Sequence, residues 1–323
     1  MATIPNHQDF DDKFSYFNKS YIEYHDLYAP ITDYFINTND QFDKWYDDLK
    51  AKSDTPDYNK RGFFRGVSEA KYKLYNSAQK MWILHDLTNW PNNTGYLNFF
   101  NDLNTIAGDD PLLAKVLEFY GIPDQEREFP LLSILQHYGA PTPLMDWTYN
   151  LDVALYFATE SVSPSQSEKD IDKYFSIYHI DKTKQPEKWL LNIYDLPEKN
   201  ALPKLSDYWD QEHHNHSTFY ISDFEAPPSR KPVTSIYNLN IIPQEGLFIF
   251  NPFPEKPLEQ RCINDITDQN IHPFECYEIN KNLAEYIRRK IKISHISKDF
   301  IYPDLYGFCQ KALNSFLDLS VKR

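Results

Sequence analysis

The residues Phe129–Glu160, FPLLSILQHYGAPTPLMDWTYNLDVALYFATE, contain two helix signals separated by an abrupt change of chain direction. The first helical run ends at Gly139, because glycine suits the left-handed conformation after a helix and Pro141 prevents continuation. Asp146–Thr148 is expected to form a polar corner, and the apolar run Val153–Ala158 starts a second helix. Such a corner would present its side chains from a rigid position.

A short strand carrying an arginine precedes this corner. Gly62–Ser68 predicts a strand in which Phe63 and Arg65 share one face and Phe64 occupies the other. Arg65 is therefore expected in or beside the core. It would either pair with Asp146 as a buried ion pair that fixes the corner or contact a ligand, and the sequence leaves both open.

The strand and the corner together resemble a known family. Phe63–Gly66 and His137–Ala158 resemble the FRG domain family, which is named for its Phe-Arg-Gly tripeptide and carries an HYG-PT-DWT-ALYFA corner. Gln244–Phe248 resembles the Q-x-G-x-F strand entry of that family, and Tyr302–Gly307 resembles its FPDLDG-like closing motif. The resemblance spans about residues 60 to 315 in the family's motif order.

The order of these motifs also resembles that of arginine-class ADP-ribosyltransferases, which implies an ADP-ribosyltransferase-like fold and NAD as cofactor. By that analogy Arg65 would hold the NAD phosphates and Thr148 would contact the nicotinamide ribose. Glu245, or the amide of Gln244, would bind the ribose hydroxyl beside the reacting carbon. The implied cofactor-binding residues are Arg65, Gly66, Asp146 and Thr148, and the implied catalytic residues are His137, Gln244 and Glu245.

Three functions remain open at this point. The first is an NAD-using transferase with a protein acceptor, or an NAD-cleaving enzyme, acting as a toxin or in phage defence, settings in which FRG-like domains are encountered. The second is a non-catalytic nucleotide- or partner-binding module, because Asp146–Thr148 replaces the Ser-Thr-Ser of the transferases and no E-x-E spacing occurs. The third is a hydrolase that uses His137 and Asp146.

Each candidate residue also has a purely structural interpretation. His137 lies in the last turn of a helix, where the helix dipole favours an imidazolium, so it is either a helix-end cap or a site residue. Thr148 could belong to the N-cap region of the following helix. Glu245 and Gly246 could form only a turn before a strand.

The composition indicates a globular protein and argues against a glycine-rich phosphate loop. The chain has 323 residues, of which 41% are apolar and 16% aromatic, enough for a substantial core. It has only 8 glycines, and neither the dinucleotide-fold nor the P-loop spacing occurs. ATP hydrolysis is therefore disfavoured.

The charge of the chain argues against nucleic acid as a partner. The net charge is −14, and the basic residues are dispersed apart from the run Arg288–Lys290. Non-specific nucleic-acid binding needs a basic face that releases counterions, so it is not expected. The expected partners are a nucleotide or another small molecule and a protein acceptor.

The cysteines favour a cytoplasmic protein without a metal site. Cys262, Cys276 and Cys309 show no CxxC spacing, which fits buried thiols in a reducing compartment. The run His213–His216 has zinc-ligand chemistry but no second cluster, so no metal is predicted. No signal peptide and no apolar run long enough to span a membrane is found in the sequence, so no membrane association is expected.

The remaining pattern predicts an α+β fold with small mixed or antiparallel sheets and surrounding helices. Residues 1–58 are expected to form an N-terminal helical segment that packs on the core, with a capping box at Thr38 and Gln41. Residues 59–317 would form the FRG domain, with 181–233 as an insertion or long loop. Further predicted strands are Tyr174–Ile180, Thr234–Ile242, Gly246–Phe250 and Ile291–Ile296, and further predicted helices are Leu112–Tyr120, Lys281–Lys290 and one from Asp304.

Overall fold

The fold is an eight-stranded mixed sheet with helices packed around it, which confirms the α+β class. The computed structural model describes residues 17–19, 32–87, 95–167, 170–184, 190–195, 218–228, 233–235, 238–260 and 274–303. The strands are β1 (Thr32–Ile36), β2 (Phe63–Val67), β3 (Leu144–Thr148), β4 (Tyr174–Ile180), β5 (Leu190–Asn192), β6 (Thr218–Ile221), β7 (Gly246–Phe250) and β8 (Phe274–Asn280). Their order across the sheet is β1-β8-β4-β2-β3-β7-β6-β5.

The centre of the sheet contains a weak junction between β2 and β3. Strand β4 pairs with β8 along its whole length, and β3 pairs with β7 from Leu144 to Thr148. In contrast, β2 and β3 are paired only at Phe64 and Thr148. The two halves of the sheet therefore separate beyond this pair and leave a gap between the strands.

Eight α-helices surround the sheet in the described ranges. They are α1 (Asn39–Ser53), α2 (Ser77–Leu84), α3 (Gly95–Gly108), α4 (Pro111–Phe119), α5 (Glu128–His137), α6 (Leu151–Thr159), α7 (Ala284–Ile293) and α8 (Lys298–Ile301). Short 3₁₀ turns lie at Tyr58–Lys60 and Leu239–Ile241, among other places.

Both faces of the sheet are buried by apolar side chains. Phe64 packs with α1, α6 and α7 on one face, whereas Phe63 packs with Trp147 on the other, as the strand alternation predicted. Strand β2 and helix α6 approach closely at Gly66, where an added Cβ would lie 1.9 Å from the main-chain oxygen of Ala154. Glycine is therefore required at this position for the helix to pack on the strand.

Several predicted elements are confirmed. Thr38 and Gln41 form the expected capping box, and Phe42, Tyr46 and Leu49 of α1 are buried. The strand Tyr174–Ile180 has the predicted bounds. The helices on either side of Gly139 and the strand Gly246–Phe250 are also present.

Other predictions were wrong. The polar corner expected at Asp146–Thr148 is the second half of strand β3, because its main chain pairs with β7. The described part of Thr234–Ile242 contains a 3₁₀ turn instead of a strand. The strand expected at Ile291–Ile296 is the end of α7 and a turn, because α7 continues to Ile293.

The sequence patterns did not predict some of the strands and helices. Strands β1 and β8 and helix α3 carried no recognised signal. Within 181–233, β5 and β6 join the edge of the sheet next to β7. The helix predicted from Asp304 and the run His213–His216 lie outside the described residues.

Candidate functional site

A cleft opens where β2 and β3 separate, and its volume of about 380 Å³ is that of a small-molecule site. The strands supply its floor, the end of α5 and one face of α6 supply walls, and the segment before β7 closes one side. The lining residues are Phe64, Arg65, Gly66, Gln136, His137, Asp146, Trp147, Thr148, Ala154, Phe157, Asn238, Asn240, Gln244 and Tyr302.

Arg65 bridges the gap between the two strands. One Nη1 hydrogen bond goes to the main-chain oxygen of Asp146, while the enclosed Nε has no partner among the described residues. Burial lowers the pKa of Arg65, and the attraction of Asp146, Tyr178 and Glu259 opposes this. No carboxylate of the described chain lies at salt-bridge distance, so the buried Arg65–Asp146 ion pair considered from the sequence does not form.

The carboxylate of Asp146 has a different partner. It is exposed in the cleft and accepts a hydrogen bond of 3.0 Å from Gln136 Nε2. Gln136 Oε1 in turn accepts a hydrogen bond from Thr142 Oγ1. This chain of contacts fixes Asp146 against the end of α5 and leaves its carboxylate accessible to a ligand.

His137 is both the last residue of α5 and part of the cleft wall. Its ring lies edge-on to Tyr138, with 4.9 Å between the ring centroids. In the part of the chain that is described, no hydrogen bond joins it to Asp146. His137 therefore faces the ligand space without the partner that would orient an acid or base.

Two aromatic rings form another wall of the cleft. Phe157 of α6 and Tyr302 pack edge to face with their centroids 6.3 Å apart. Gln244 Nε2 donates a 3.0 Å hydrogen bond to the main-chain oxygen of Ile301, which holds this wall against the segment before β7. Burial, with the nearby charges of Glu160 and Asp146, raises the pKa of Tyr302.

Thr148 lines the cleft, but its hydroxyl group makes hydrogen bonds within the protein. It donates a 2.5 Å hydrogen bond to the main-chain oxygen of Gln244 and accepts one of 2.9 Å from the main-chain nitrogen of Asn150. These bonds join the end of β3 to the start of α6 and to the segment before β7. Thr148 thus connects three parts of the cleft wall.

Glu245 lies beside the cleft and is not one of its lining residues. Its carboxylate accepts hydrogen bonds from Arg61 Nη1 at 2.5 Å, from Tyr58 at 3.0 Å and from Asn150 Nδ2 at 3.0 Å. Its φ of 46° lies in the left-handed region, which is unfavourable for a residue with a side chain. These three donors therefore hold both the side chain and a strained main chain in place.

A comparison with protein-family models found a match to part of the chain. Residues 60–167 match the model of the FRG domain. The chain contains an FRG domain. Comparisons with curated proteins and with solved structures gave no significant match.

The residues that match the FRG model supply only part of the cleft. Arg65, Gly66, His137, Asp146 and Thr148 lie within the matched residues. Gln244, Glu245 and the rest of the segment before β7 lie beyond them, as does Tyr302. The cleft is therefore lined both by residues that match the FRG model and by residues from a later part of the chain.

Several cleft residues were missed by the sequence reasoning. Gln136 lies next to His137 in the predicted helix, and Tyr302 begins the closing motif, so both had a positional signal. Asn238 and Asn240 had none, because they lie in a stretch predicted as a strand. Only the folded chain brings this stretch against Arg65.

The rest of the described structure adds no metal site. In the ranges that the structure covers, no group of His, Cys, Asp and Glu side chains could hold a metal ion. Cys276 is buried and free, and burial raises the pKa of its thiol. No helix among the described residues has both the length and the apolar character needed to cross a membrane.

Proposed function

We propose that the cleft binds NAD or a related dinucleotide and that Arg65 contacts its phosphates. The observation that carries this proposal is the environment of the Arg65 guanidinium. It lines the cleft, bonds to a main-chain oxygen, and has no carboxylate at salt-bridge distance among the described residues. Arg65 is half-buried, and a cation partly removed from water without a counter-charge is unfavourable, so an anion entering the cleft would compensate it.

The chemistry of arginine suits a phosphate ligand. Its planar guanidinium offers several N–H groups in a fixed arrangement that matches two phosphate oxygens at once. Within the described ranges only the Asp146 main-chain oxygen accepts a hydrogen bond from Arg65. The Nη2 group therefore keeps its donors for a ligand.

The other walls favour a nucleotide over a bare phosphate. Phe157 and Tyr302 offer aromatic surface against which a base or nicotinamide ring can pack. Asn238 and Asn240 offer carboxamide groups for hydrogen bonds to a base or sugar, whereas those of Gln136 and Gln244 bond within the cleft wall. A cleft with a cation, aromatic rings and carboxamides is complementary to a nucleotide.

The arrangement supports binding more strongly than transfer of ADP-ribose. A transferase would need a carboxylate beside the ribose, and Glu245 is bonded to Arg61, Tyr58 and Asn150 outside the cleft. We therefore propose a nucleotide-binding module. A transferase or NAD-cleaving enzyme remains the second candidate, because the carboxylate of Asp146 is exposed within the cleft.

Nicotinamide release from NAD distinguishes these two candidates. A binding module releases none, whereas an NAD-cleaving enzyme does so and would suit a toxin or phage-defence role with a protein acceptor. Release that survives Glu245→Gln but is lost in Asp146→Asn would assign the catalytic carboxylate to Asp146. A hydrolase built on His137 and Asp146 is less well supported, since Gln136 is the described partner of Asp146.

Calorimetric titration of NAD tests the proposed binding directly. Wild type is expected to bind, and Arg65→Lys is expected to bind about tenfold more weakly, because lysine keeps the charge but loses the bidentate geometry. Arg127→Lys is the matched control. Arg127 also has an enclosed Nε, but it pairs with Asp124 before α5 and does not line the cleft.

The control should bind NAD as wild type does. Circular dichroism and thermal unfolding must show that both variants are folded before their affinities are compared. Absence of NAD binding in the wild type contradicts the proposal, as does equal binding by a folded Arg65→Lys variant.

A further inference from the structure

Asn238 has a buried side chain whose Oδ1 has no hydrogen-bond partner among the described residues. The residue is 6% exposed and lines the cleft. Its Oδ1 is closed to solvent and accepts no hydrogen bond from any residue in the described ranges. Buried side-chain amides are nearly always hydrogen-bonded, so an unpaired one in a cleft wall needs an explanation.

The side-chain amides of two other cleft residues, Gln136 and Gln244, do have hydrogen-bond partners. Gln136 bonds to Asp146 and Thr142, and Gln244 bonds to the main chain of Ile301. The hydrogen bonds of both amide groups therefore hold the cleft wall together. The main chain of Asn238 is held by the Ser235 oxygen and by the amide of Ile241, so the unpaired side chain is carried on a fixed backbone.

We infer that Asn238 is a specificity-determining residue that recognises an amino group next to an acceptor on the ligand. This inference rests on the proposed nucleotide binding. A carboxamide offers one acceptor and two donors, and rotation by 180° exchanges its oxygen and nitrogen without changing its shape. The same complementarity lets asparagine contact the N6 and N7 atoms of adenine.

Two parts of NAD carry this chemistry. The adenine ring has an amino group beside ring nitrogens, and the nicotinamide ring has a carboxamide. Rotation of the Asn238 carboxamide by 180° would present its oxygen to the cleft, where either group would supply the N–H that the oxygen lacks. Deaminated analogues distinguish them, because each replaces one amino group and leaves the other intact.

The unpaired state also predicts an effect on the free protein. Asn238→Leu removes a buried polar group that has no partner, so the free variant should have a Tm higher by about 2 °C. Thr218→Val is the matched control, because Thr218 is a buried residue of β6 whose Oγ1 is also unpaired among the described residues but lies outside the cleft. The control should also raise Tm and should leave NAD binding unchanged.

Calorimetry with three ligands tests the inference. Wild type should bind NAD about tenfold more tightly than one of two analogues, nicotinamide hypoxanthine dinucleotide or nicotinic acid adenine dinucleotide. The weaker analogue identifies which ring Asn238 contacts. Asn238→Leu should bind NAD about tenfold more weakly and should bind NAD and that analogue equally.

The outcomes separate this inference from the proposed function. If NAD binds to wild type and Arg65→Lys weakens it, but folded Asn238→Leu binds NAD and both analogues as wild type does, the specificity role is wrong and nucleotide binding stands. If wild type binds neither NAD nor the analogues, both proposals are wrong.

Discussion

At the scale of single residues, Glu225 is a buried carboxylate with several hydrogen-bond partners. Its carboxylate pairs with Lys182 and accepts hydrogen bonds from Tyr149 at 2.5 Å and Tyr220 at 2.7 Å. The side chains of Glu225 and Lys182 are 2% and 9% exposed. These contacts attach the segment after β6 to the centre of the sheet.

Replacing Glu225 should therefore be costly. Glu225→Gln keeps the size of the side chain but removes the negative charge that faces the buried Lys182 ammonium, and we expect a loss of about 3 kcal/mol in the free energy of unfolding. Urea unfolding measures this loss. Glu285→Gln is the control, because its pair with Arg289 is exposed and should change stability by less than about 0.5 kcal/mol. Equal effects of the two variants would contradict the prediction.

Glu275 makes stability depend on pH in the acid range. Burial alone would raise its pKa, but hydrogen bonds from His179, Tyr277 and Lys184 outweigh burial and lower the pKa below its ordinary value of 4.5. A carboxyl group with a lowered pKa in the folded state stabilises the fold above its unfolded pKa and loses that contribution as the pH falls through the folded pKa. The stabilisation should therefore decline from about pH 4.5 downward.

Urea unfolding of wild type and Glu275→Gln at several pH values tests this. The stability difference between them should be largest near pH 6 and should shrink steadily below pH 4.5, because protonation makes the wild-type side chain resemble glutamine. A difference that does not change with pH would exclude a contribution from Glu275 ionisation.

At the scale of elements, the contact between β2 and α6 depends on Gly66. A Cβ atom there would meet the main chain of Ala154 and Ala158, and a helix backbone cannot move aside as a flexible side chain can. We expect Gly66→Ala to destabilise the protein by about 3 kcal/mol and to widen the cleft, since both elements form its walls. Thermal and urea unfolding measure the effect.

Gly108→Ala provides the control for this element contact. A Cβ atom at Gly108 would make only an ordinary contact of 3.6 Å with Leu131. Alanine is also the better helix former, so this variant should be as stable as wild type or slightly more stable. A Gly66→Ala variant with wild-type stability would show that α6 can shift without loss.

At the scale of the whole molecule, the chain carries a net charge of −14. The basic run Arg288–Lys290 makes interactions within the protein. Arg289 forms an ion pair with Glu285, and Lys290 forms one with Asp43. Arg288 donates to the main-chain oxygens of Thr159 and Val162. We expect no binding to random duplex DNA in a gel shift at low salt, because the excess of acidic residues opposes phosphate neutralisation. Tight binding that weakens with salt would contradict this.

The sequence alone was enough to predict those secondary-structure elements whose signals lie within a few neighbouring residues. The Thr38 capping box, the alternation of β2 and the glycine after α5 depend on residues a few positions apart, so they could be recognised without a fold. The motifs around Arg65 and Asp146 likewise predicted an FRG domain, which the family match to residues 60–167 confirms.

Tertiary structure decided how the cleft is composed. Asp146–Thr148 is a strand because β7, about a hundred residues later, pairs with it, and no local signal encodes that pairing. Glu245 lies beside the cleft because Arg61, Tyr58 and Asn150 converge on its carboxylate. Asn238 reaches the cleft because residues 238–244 fold against the end of β3. Contacts between distant segments fix these positions, and side-chain direction in space cannot be inferred from the spacing of residues along the chain.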